Sequence, residues 1–298
     1  MTLSSFVGRG PWRAIAFLSL LFQSEAIAQG VEVSPSRAET QPLWELGVGA
    51  FVSVTPNYPA SGEYRINGLP FPNVVYRGDL LRLGQEEAAR LVPVDTERFE
   101  LSVSGDAAFG VDSDDNELRR GLPDLDPLLQ IGPELVLKGR GFGTPSFLGD
   151  IALVLQGRAV FSANTDIEID FQGFVVEPQL RTTFPGVLGL GSFVTASVGP
   201  LFATEALQDY FYEVPSAFAL PDRPTFEASA GYLGSELTFG LGYELTERID
   251  LFASLRLALY SGAANADSPL FEDAFNASGF VSFTYSIFQS ERRVPRRR

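Results

Sequence analysis

The stretch WELGVGAFVSV, residues 44–54, alternates apolar residues with small or polar ones. One face carries six apolar or small residues, namely Trp44, Leu46, Val48, Ala50, Val52 and Val54. The other face carries glutamate, glycine and serine together with Phe51. Because successive side chains of a strand point to opposite faces, this period of two predicts a β-strand with one apolar and one mostly polar face.

The same period recurs in four further stretches, which are FELSVSGDAAFGV (99–111), ELTFGLGYEL (236–245), IDLFASLRLALY (249–260) and ASGFVSFTYSIF (277–288). In the first of them we place Phe99, Leu101, Val103, Ala107 and Phe109 on the apolar face. These runs are about twice as long as the usual strand of ~5–6 residues. Their length suits a tilted strand that crosses the hydrocarbon of a membrane.

Less regular segments also read as strands, at 71–82, 128–139, 147–161, 173–184, 191–204 and 225–232. The total is then eleven, and single-chain bacterial barrels have even strand numbers, so the short run DYFYEV at 209–214 becomes the twelfth. We predict an all-β fold, a transmembrane antiparallel up-and-down β-barrel of about twelve strands, with ~10 to 14 compatible. An exported soluble sandwich is the alternative, but the long strands and the glycines on the polar face favour the barrel.

The first residues have the features of a secretory leader. Arg9 and Arg13 precede an apolar run at 14–22, and small residues follow at Ala26 and Ala28. This pattern predicts a Sec-type signal peptide cleaved after Ala28 and a location in the cell outer membrane. The predicted organisation is a signal peptide (1–28), a flexible mature N-terminus (29–43), the barrel (44–288) and a basic C-terminal tail (289–298).

Charge and missing residue types exclude several functions. Without the leader and residues 291–298, the chain carries 15 basic and 35 acidic residues, a net charge of about −20 that should repel nucleic acid. The absence of cysteine excludes disulfides and thiolate metal sites. The absence of histidine removes the usual proton carrier of hydrolases. We therefore expect no enzymatic activity and no cofactor.

The stretch DSDDNELRRGLPDLDP, residues 112–127, is the densest patch of charge and turn-forming residues. Asp112, Asp114 and Asn116 occupy the first positions of a calcium loop, but Glu117 and Pro123 stand where such a loop needs glycine and glutamate. A loose surface cation site stays open, as does acid and base chemistry by Asp124 and Asp126. Such a density of Asp and Pro is, however, typical of turns.

Several spaced segments resemble the family of MltA-interacting proteins, the MipA/OmpV family of outer-membrane proteins. They are DSDDNELRRGLPDLD, IGPEL (131–135), PNYPASGEYR (56–65), LPFPNVVYRGD (69–79) and DSPL (267–270). The resemblance covers residues 44–288. Ala60 departs from it, since glycine is common there, and a basic tail follows Phe288, where such chains tend to end.

This resemblance implies a barrel in contact with outer-membrane lipid that acts as a non-catalytic scaffold. Its implied partners are a lytic transglycosylase and a peptidoglycan synthase. It carries over no catalytic, cofactor-binding or metal-binding residue. For the 112–127 stretch it implies a structured family-typical loop, in which Arg119 can pair with a carboxylate. The residues of this loop are Asp112, Asp114, Asp115, Asn116, Arg119, Gly121, Pro123 and Asp124.

A narrow channel for small solutes or antibiotics is the alternative function. The registers of the predicted strands point six charged residues into the lumen, namely Glu134, Lys138, Arg158, Glu177, Arg181 and Arg256. Opposite charges among them could pair and constrict the lumen, or leave a path for solutes. An enzyme acting on lipid or sugar is the third hypothesis and has no nucleophile in a recognisable setting.

Overall fold

The computed structural model describes residues 40–84, 89–139, 141–144, 147–164, 166, 168–189 and 191–295. Its elements in chain order are β1 (Thr40–Pro42), β2 (Trp44–Pro56), β3 (Tyr64–Arg77), β4 (Leu81–Leu83), β5 (Ala89–Asp95), β6 (Phe99–Ala108), β7 (Leu128–Lys138), β8 (Phe142–Thr144), β9 (Phe147–Ala163), β10 (Ile169–Pro185), β11 (Ser192–Ala203), α1 (Glu205–Tyr212), β12 (Gly231–Thr246), β13 (Ile249–Leu259), β14 (Phe275–Gln289) and β15 (Arg293–Pro295). The predicted signal peptide lies outside the described residues.

Twelve antiparallel strands form a closed barrel within these described ranges. β2 to β7 and β9 to β14 are hydrogen-bonded in sequence order, with β9 on β7, and β14 pairs with β2 to close the ring. Closure removes the free sheet ends, which matters in lipid because no water is present to bond an exposed backbone. The predicted up-and-down barrel of twelve strands is confirmed.

The strands that make up this number differ from the predicted set in two places. Residues 209–214 are not a strand, because α1 occupies Glu205–Tyr212, and 225–232 contributes only an isolated bridge between Val214 and Phe226 before β12 begins. The short hairpin of β4 and β5 falls largely between the predicted strands 71–82 and 99–111, where no strand was predicted. Two strands were therefore predicted wrongly and two were missed, and the total is unchanged.

The two faces of the barrel wall have opposite chemistry. Outward residues are apolar and exposed, as with Val48 at 49% and Val281 at 59% exposure. Inward residues are largely polar and buried, as with Ser102 and Glu134, both at 0%. A water-soluble sandwich would show the reverse arrangement, so the apolar outer belt identifies a membrane barrel. Among the described residues, no helix is long and apolar enough to cross a bilayer.

The two ends of the barrel differ in loop length. At one end, here called the terminal end, the connections are short, and β1 pairs with β15 from the segments predicted as the flexible N-terminus and the basic tail. At the other end, the loop end, the long segments 57–63, 109–127, 204–230 and 260–274 fold together. These four segments are called the cap below. The lumen lies between the cap and the terminal end.

Candidate functional site

Aromatic rings fill one side of the lumen. Phe51 stacks on Phe280 of β14 with ring centroids 5.5 Å apart, and its centroid lies 6.2 Å from that of Phe71 on β3. The ring of Phe109 lies 6.0 Å from Phe51. The prediction that Phe109 faces outward with Phe99 is wrong, since β6 ends at Ala108 and the alternation stops with it.

Inward glycines make room for these rings. A Cβ atom on Gly49 would lie 2.4 Å from the ring of Phe71, and one on Gly242 would lie 2.1 Å from the ring of Phe193. Both contacts are far shorter than van der Waals distance, so the ring of one strand occupies the space over the glycine of its neighbour. This packing explains why glycine appears on the polar face of the sequence pattern.

Charged side chains fill the opposite side. Glu134 is completely buried, where it forms an ion pair with Arg90, accepts a hydrogen bond from Gln156 and lies 3.9 Å from Arg181. Arg90 also pairs with Glu100 at 2.8 Å. We call Arg90, Glu100, Glu134, Gln156 and Arg181 the ion cluster.

The other predicted lumen residues also point inward, at different heights. Arg158 lies 3.4 Å from Asp106, and Arg256 lies 3.5 Å from Glu236. Glu177 lines the same space as these two pairs. Lys138 lies apart from them, near the terminal end, where its ammonium group is 2.6 Å from Asp95. These six residues therefore form separate groups and not one site.

Sequence reasoning missed several members of this charged lining. Arg90 and Arg82 lie on the unpredicted hairpin, and Glu100 receives ion pairs from both of them. Glu45 and Arg77 pair at 2.7 Å near the terminal end. The inward position of Glu45 was readable from the alternation in β2. The position of Arg90 was not, because too few residues flank it to establish a period.

The cap has its own hydrophobic core beyond the ends of the strands. Tyr58, Leu122, Leu207, Tyr212 and Leu270 are buried there, and each comes from the cap itself. Hydrogen bonds join the segments: the hydroxyl of Tyr58 donates to the carbonyl of Leu270 at 2.8 Å, and that of Tyr212 donates to the carbonyl of Pro59 at 3.0 Å. Burial raises the pKa of both hydroxyls, which keeps them protonated as donors.

The 112–127 stretch forms a compact turn inside the cap. The carboxylate of Asp112 accepts from the backbone N–H of Asp114, and Asp124 accepts from the N–H of Ser113 at 2.8 Å. Asn116 is fully buried and accepts from the N–H of Arg119. Gly121 has a φ of +80°, which is the left-handed conformation that favours glycine. Pro123 offers its carbonyl to Ser113 Oγ at 2.7 Å.

Arg119 holds this turn against the helix. It was predicted to pair with a carboxylate, but its guanidinium donates instead to the carbonyls of Phe211 at 3.0 Å and Pro123 at 3.1 Å and lies over the ring of Tyr58. Arg223 acts in a similar way, since it donates to the carbonyls of Leu118 and Arg120. Both arginines are buried, so they link the second and third cap segments from within.

A conformational strain marks the first cap segment. Ala60 has a φ of +64° and is completely buried against Ala258 and Tyr260. Its backbone N–H donates to Asn276 at 3.0 Å, and its carbonyl accepts from the N–H groups of Glu272 and Asp273. A non-glycine residue in this region costs free energy, and these contacts hold it there.

A cavity of about 210 Å³ separates the cap from the ion cluster. Its polar lining includes Arg158, Glu177, Glu236 and Arg256, and its cap side includes Tyr210. Among the described residues, no group of three or more carboxylates is placed to hold a metal ion. Burial and the neighbouring Asp124 raise the pKa of Asp126 beside the cavity, while Asp124 itself accepts the hydrogen bond from Ser113.

Comparison with known proteins identifies one matching family. The family model described as MltA-interacting protein MipA matches residues 48–287. No curated protein sequence matches the chain significantly.

Solved structures similar to the chain include three outer-membrane proteins at low identity. A bacterial polysaccharide outer membrane secretin is 11% identical, with 83% of this chain and 99% of that chain covered and a TM-score of 0.37. The NanC porin is 9% identical, with 82% and 100% covered and a TM-score of 0.33. OprB of Pseudomonas putida is 7% identical, with 82% and 94% covered and a TM-score of 0.37.

Proposed function

This chain belongs to the MltA-interacting protein MipA family and is an outer-membrane β-barrel protein, and from this premise we propose that it is a non-catalytic scaffold for peptidoglycan-remodelling enzymes. Its partners in this proposal are a lytic transglycosylase and a peptidoglycan synthase. The barrel anchors them to the membrane and does not conduct solutes.

The complete burial of Glu134 and Arg181 within the ion cluster carries the non-conducting part of this proposal. Glu134 and Arg181 both project into the lumen, yet neither has exposed surface. A water-filled channel would wet inward charges at this level, as the lumen of a porin does. Removing a paired charge from such a cluster is costly, so the ion pairs favour a closed lumen over transient opening.

The terminal end offers the surface for the partners. It carries exposed arginines, among them Arg248, Arg292 and Arg293, on a chain whose body is strongly acidic. The pairing of β15 with β1 holds Arg293 against the barrel, where it donates to Thr40. With the loop end outside the cell, as the long loops favour, these arginines face the periplasm. They can attract an acidic protein surface there.

Site-specific photo-crosslinking in intact cells tests the scaffold. A crosslinker placed at Arg248 or Val294 should capture a lytic transglycosylase or a peptidoglycan synthase. The same group placed at Leu220, an exposed cap position at 50% exposure, is the matched control and should capture neither. Recovery of neither enzyme from the terminal end would contradict the scaffold.

A narrow channel is the second candidate, and the cavity beneath the cap is the observation in its favour. Its polar lining of arginines, glutamates and amides could hold a small solute such as a sugar or an amino acid. A solute would still have to pass the ion cluster and the cap. Because of this requirement, the channel is the less favoured of the two candidate functions.

Export through the Sec pathway with cleavage after Ala28 completes the proposal. N-terminal sequencing of the membrane-bound protein should begin at Gln29. A mature protein that starts elsewhere would move the boundary, and one that keeps residues 1–28 would contradict cleavage.

A further inference from the structure

The cavity between the cap and the ion cluster is large enough for a small organic molecule. Its volume of about 210 Å³ exceeds the ~150 Å³ of an apolar protein cavity that binds benzene. A molecule of roughly ten non-hydrogen atoms therefore fits inside it. The scaffold function proposed above makes no use of this space, and the groups on its wall indicate which class of molecule it accepts.

The charges on the cavity wall leave one carboxylate without a close cation. Four acidic and three basic residues line the cavity, namely Asp106, Asp126, Glu177, Glu236, Arg65, Arg158 and Arg256. Arg158 pairs with Asp106 at 3.4 Å, and Arg256 pairs with Glu236 at 3.5 Å. Glu177 lies within electrostatic range of both arginines. In the part of the chain that the structure describes, however, no ion pair within 4.0 Å includes Glu177. The wall thus favours a group with a positive charge at Glu177.

A buried arginine on the same wall has an unused edge. Arg158 is only 6% exposed, and its Nη1 lies 3.4 Å from Asp106. Its Nε and Nη2 have no acceptor among the described residues. These two N–H groups form one edge of the guanidinium, which binds a carboxylate through two parallel hydrogen bonds. Unpaired buried donors are costly, so this edge points to an anionic partner from outside the chain.

A buried amide supplies an unused acceptor beside Glu177. Gln179 is 2% exposed and lines the cavity, and its amide interacts with the carboxylate of Glu177. The amide oxygen has no donor within the described ranges. Glu177 and Gln179 follow each other on the inward face of β10, so the carboxylate and the amide oxygen together suit an ammonium group.

The acceptors and the unused arginine edge lie on neighbouring strands. Glu177 is paired in register with Gln156 of β9, and Arg158 is two residues further along that strand. Diagonal neighbours of this kind are ~7–8 Å apart in an antiparallel sheet. One small molecule can therefore reach both groups, with a cationic group at one end and an anionic group at the other.

The cap side of the cavity is apolar. Leu207 and Phe211 of α1 line it together with Leu128, Leu201 and Leu233, which lie near the loop ends of their strands. All five belong to the hydrophobic core of the cap or pack against it. An aliphatic group of the bound molecule would be stabilised on this side, because it is removed from water there.

We propose that this cavity is a binding site for a small aliphatic α-amino acid. The ammonium group donates to Glu177 and to the amide oxygen of Gln179, the carboxylate accepts from Nε and Nη2 of Arg158, and the side chain packs against the apolar cap side. A zwitterion supplies both partners and adds no net charge to a buried space. The cap covers the bound molecule, so binding requires no conduction. The site is independent of the scaffold function, and the failure of either proposal leaves the other standing.

Equilibrium dialysis with radiolabelled leucine tests this site. The protein is refolded in the presence of the amino acid, so that the cap does not limit entry, and heat-modifiable migration on gels verifies the barrel in each sample. We expect saturable binding of about one leucine per chain. Two analogues serve as matched ligands, because isocaproate lacks the ammonium group and isoamylamine lacks the carboxylate. Each should bind at least about tenfold more weakly, since it leaves buried groups of the site unpaired.

Substitutions on the wall test the same contacts from the side of the protein. Glu177→Gln and Arg158→Gln should each weaken leucine binding by about tenfold or more, because each removes the charge that faces one end of the ligand. If one of these variants fails to fold, the other still reports on the site. Lys138→Gln is the matched control, since Lys138 is a charged lumen residue that pairs with Asp95 near the terminal end, and it should bind leucine as the wild-type protein does.

Three results would overturn the proposal. The first is the absence of saturable binding at millimolar leucine. The second is binding of isocaproate or isoamylamine as tight as that of leucine, because the site would then not recognise both charges. The third is unchanged binding in both Glu177→Gln and Arg158→Gln, which would mean that leucine binds elsewhere.

Discussion

Glu134 is the carboxylate that two lumen arginines share. Replacing it with glutamine keeps the shape of the side chain but removes the charge that Arg90 and Arg181 face in a buried setting. Loss of one partner from a buried ion pair typically costs about 3–5 kcal/mol. We expect Glu134→Gln to lower the urea midpoint for unfolding from lipid vesicles accordingly.

Lys138→Gln is the control for that prediction. Its ion pair with Asp95 is more exposed, with about a third of each side chain accessible, and exposed pairs contribute about 0–1 kcal/mol. Equal losses of stability in the two variants would contradict the buried, paired state of Glu134.

Two adjacent arginines of the cap provide a second comparison. Arg119 is buried and donates to carbonyls of two cap segments, whereas Arg120 is exposed. Arg119→Ala removes these bonds, so the cap should open locally and be cut faster by trypsin while the barrel stays folded. Arg120→Ala should differ from the wild-type protein only in losing the trypsin cleavage site at residue 120. Equal loosening in both variants would show that Arg119 does not hold the cap.

The cap should also respond to pH. Burial and nearby carboxylates raise the pKa of Asp209 above its usual 3.8. A raised pKa in the folded state stabilises the cap fully below 3.8, and this contribution is lost as the pH rises through the raised value. We expect the protection factor of the Val214 amide, which donates to the carbonyl of Phe226 in the same part of the cap, to be higher at pH 3.5 than at pH 7.5. Asp209→Asn should remove part of this difference, and an unchanged pH dependence in that variant would exclude Asp209 as its source.

The direction of individual side chains was predictable where a long period surrounds them. Arg256 lies in such a run, whereas Glu134 and Arg158 lie in the less regular segments 128–139 and 147–161; all three side chains lie inside the barrel. Their ion-pair partners could not be predicted from the sequence, because the pairing depends on which strands become neighbours in the barrel. Arg119 illustrates the limit: its charge favours a carboxylate partner, but only the folded cap supplies the carbonyls of Phe211 and Pro123.

At the scale of elements, the inward glycines control how neighbouring strands pack. Gly242→Ala would place a Cβ atom 2.1 Å from the ring of Phe193, and overpacking of this kind costs about 1–3 kcal/mol. We expect a lower unfolding midpoint for this variant.

Gly157→Ala is the matched control on β9, since a Cβ there meets nothing within 4 Å. Its stability should change by no more than about 0.5 kcal/mol. A Gly242→Ala barrel as stable as the Gly157→Ala barrel would show that Phe193 does not occupy the space over Gly242.

Long strands were predictable and short elements were not. β2, β12, β13 and β14 show their period over many residues, so their faces could be assigned from sequence. β4 has only three residues, which is too few for a period. The aromatic run Tyr210, Phe211 and Tyr212 favours a strand by propensity. It lies in a helix instead because tertiary contacts bury Leu207 and Tyr212 in the cap.

On the scale of the whole molecule, the lumen is filled at two levels. The ion cluster fills the section between the strands, and the cap covers the loop end with a core of its own. The barrel architecture followed from the period of the strands, whereas the strand number was right because two wrongly predicted strands offset the two that were missed. The cap could not be predicted from the sequence, because its core joins four segments that are far apart in the chain and no local sequence pattern indicates contacts between them.

The conductance of the purified, refolded protein in a planar lipid bilayer tests the central claim, that the lumen is closed, most directly. The wild-type protein should insert without producing conductance steps, and a variant lacking both the cap core and the ion cluster, through Tyr212→Ala, Glu134→Ala and Arg181→Ala, should produce them if it remains heat-modifiable. Stable, stepwise conductance from the wild-type protein at neutral pH would contradict the account and identify the barrel as a channel.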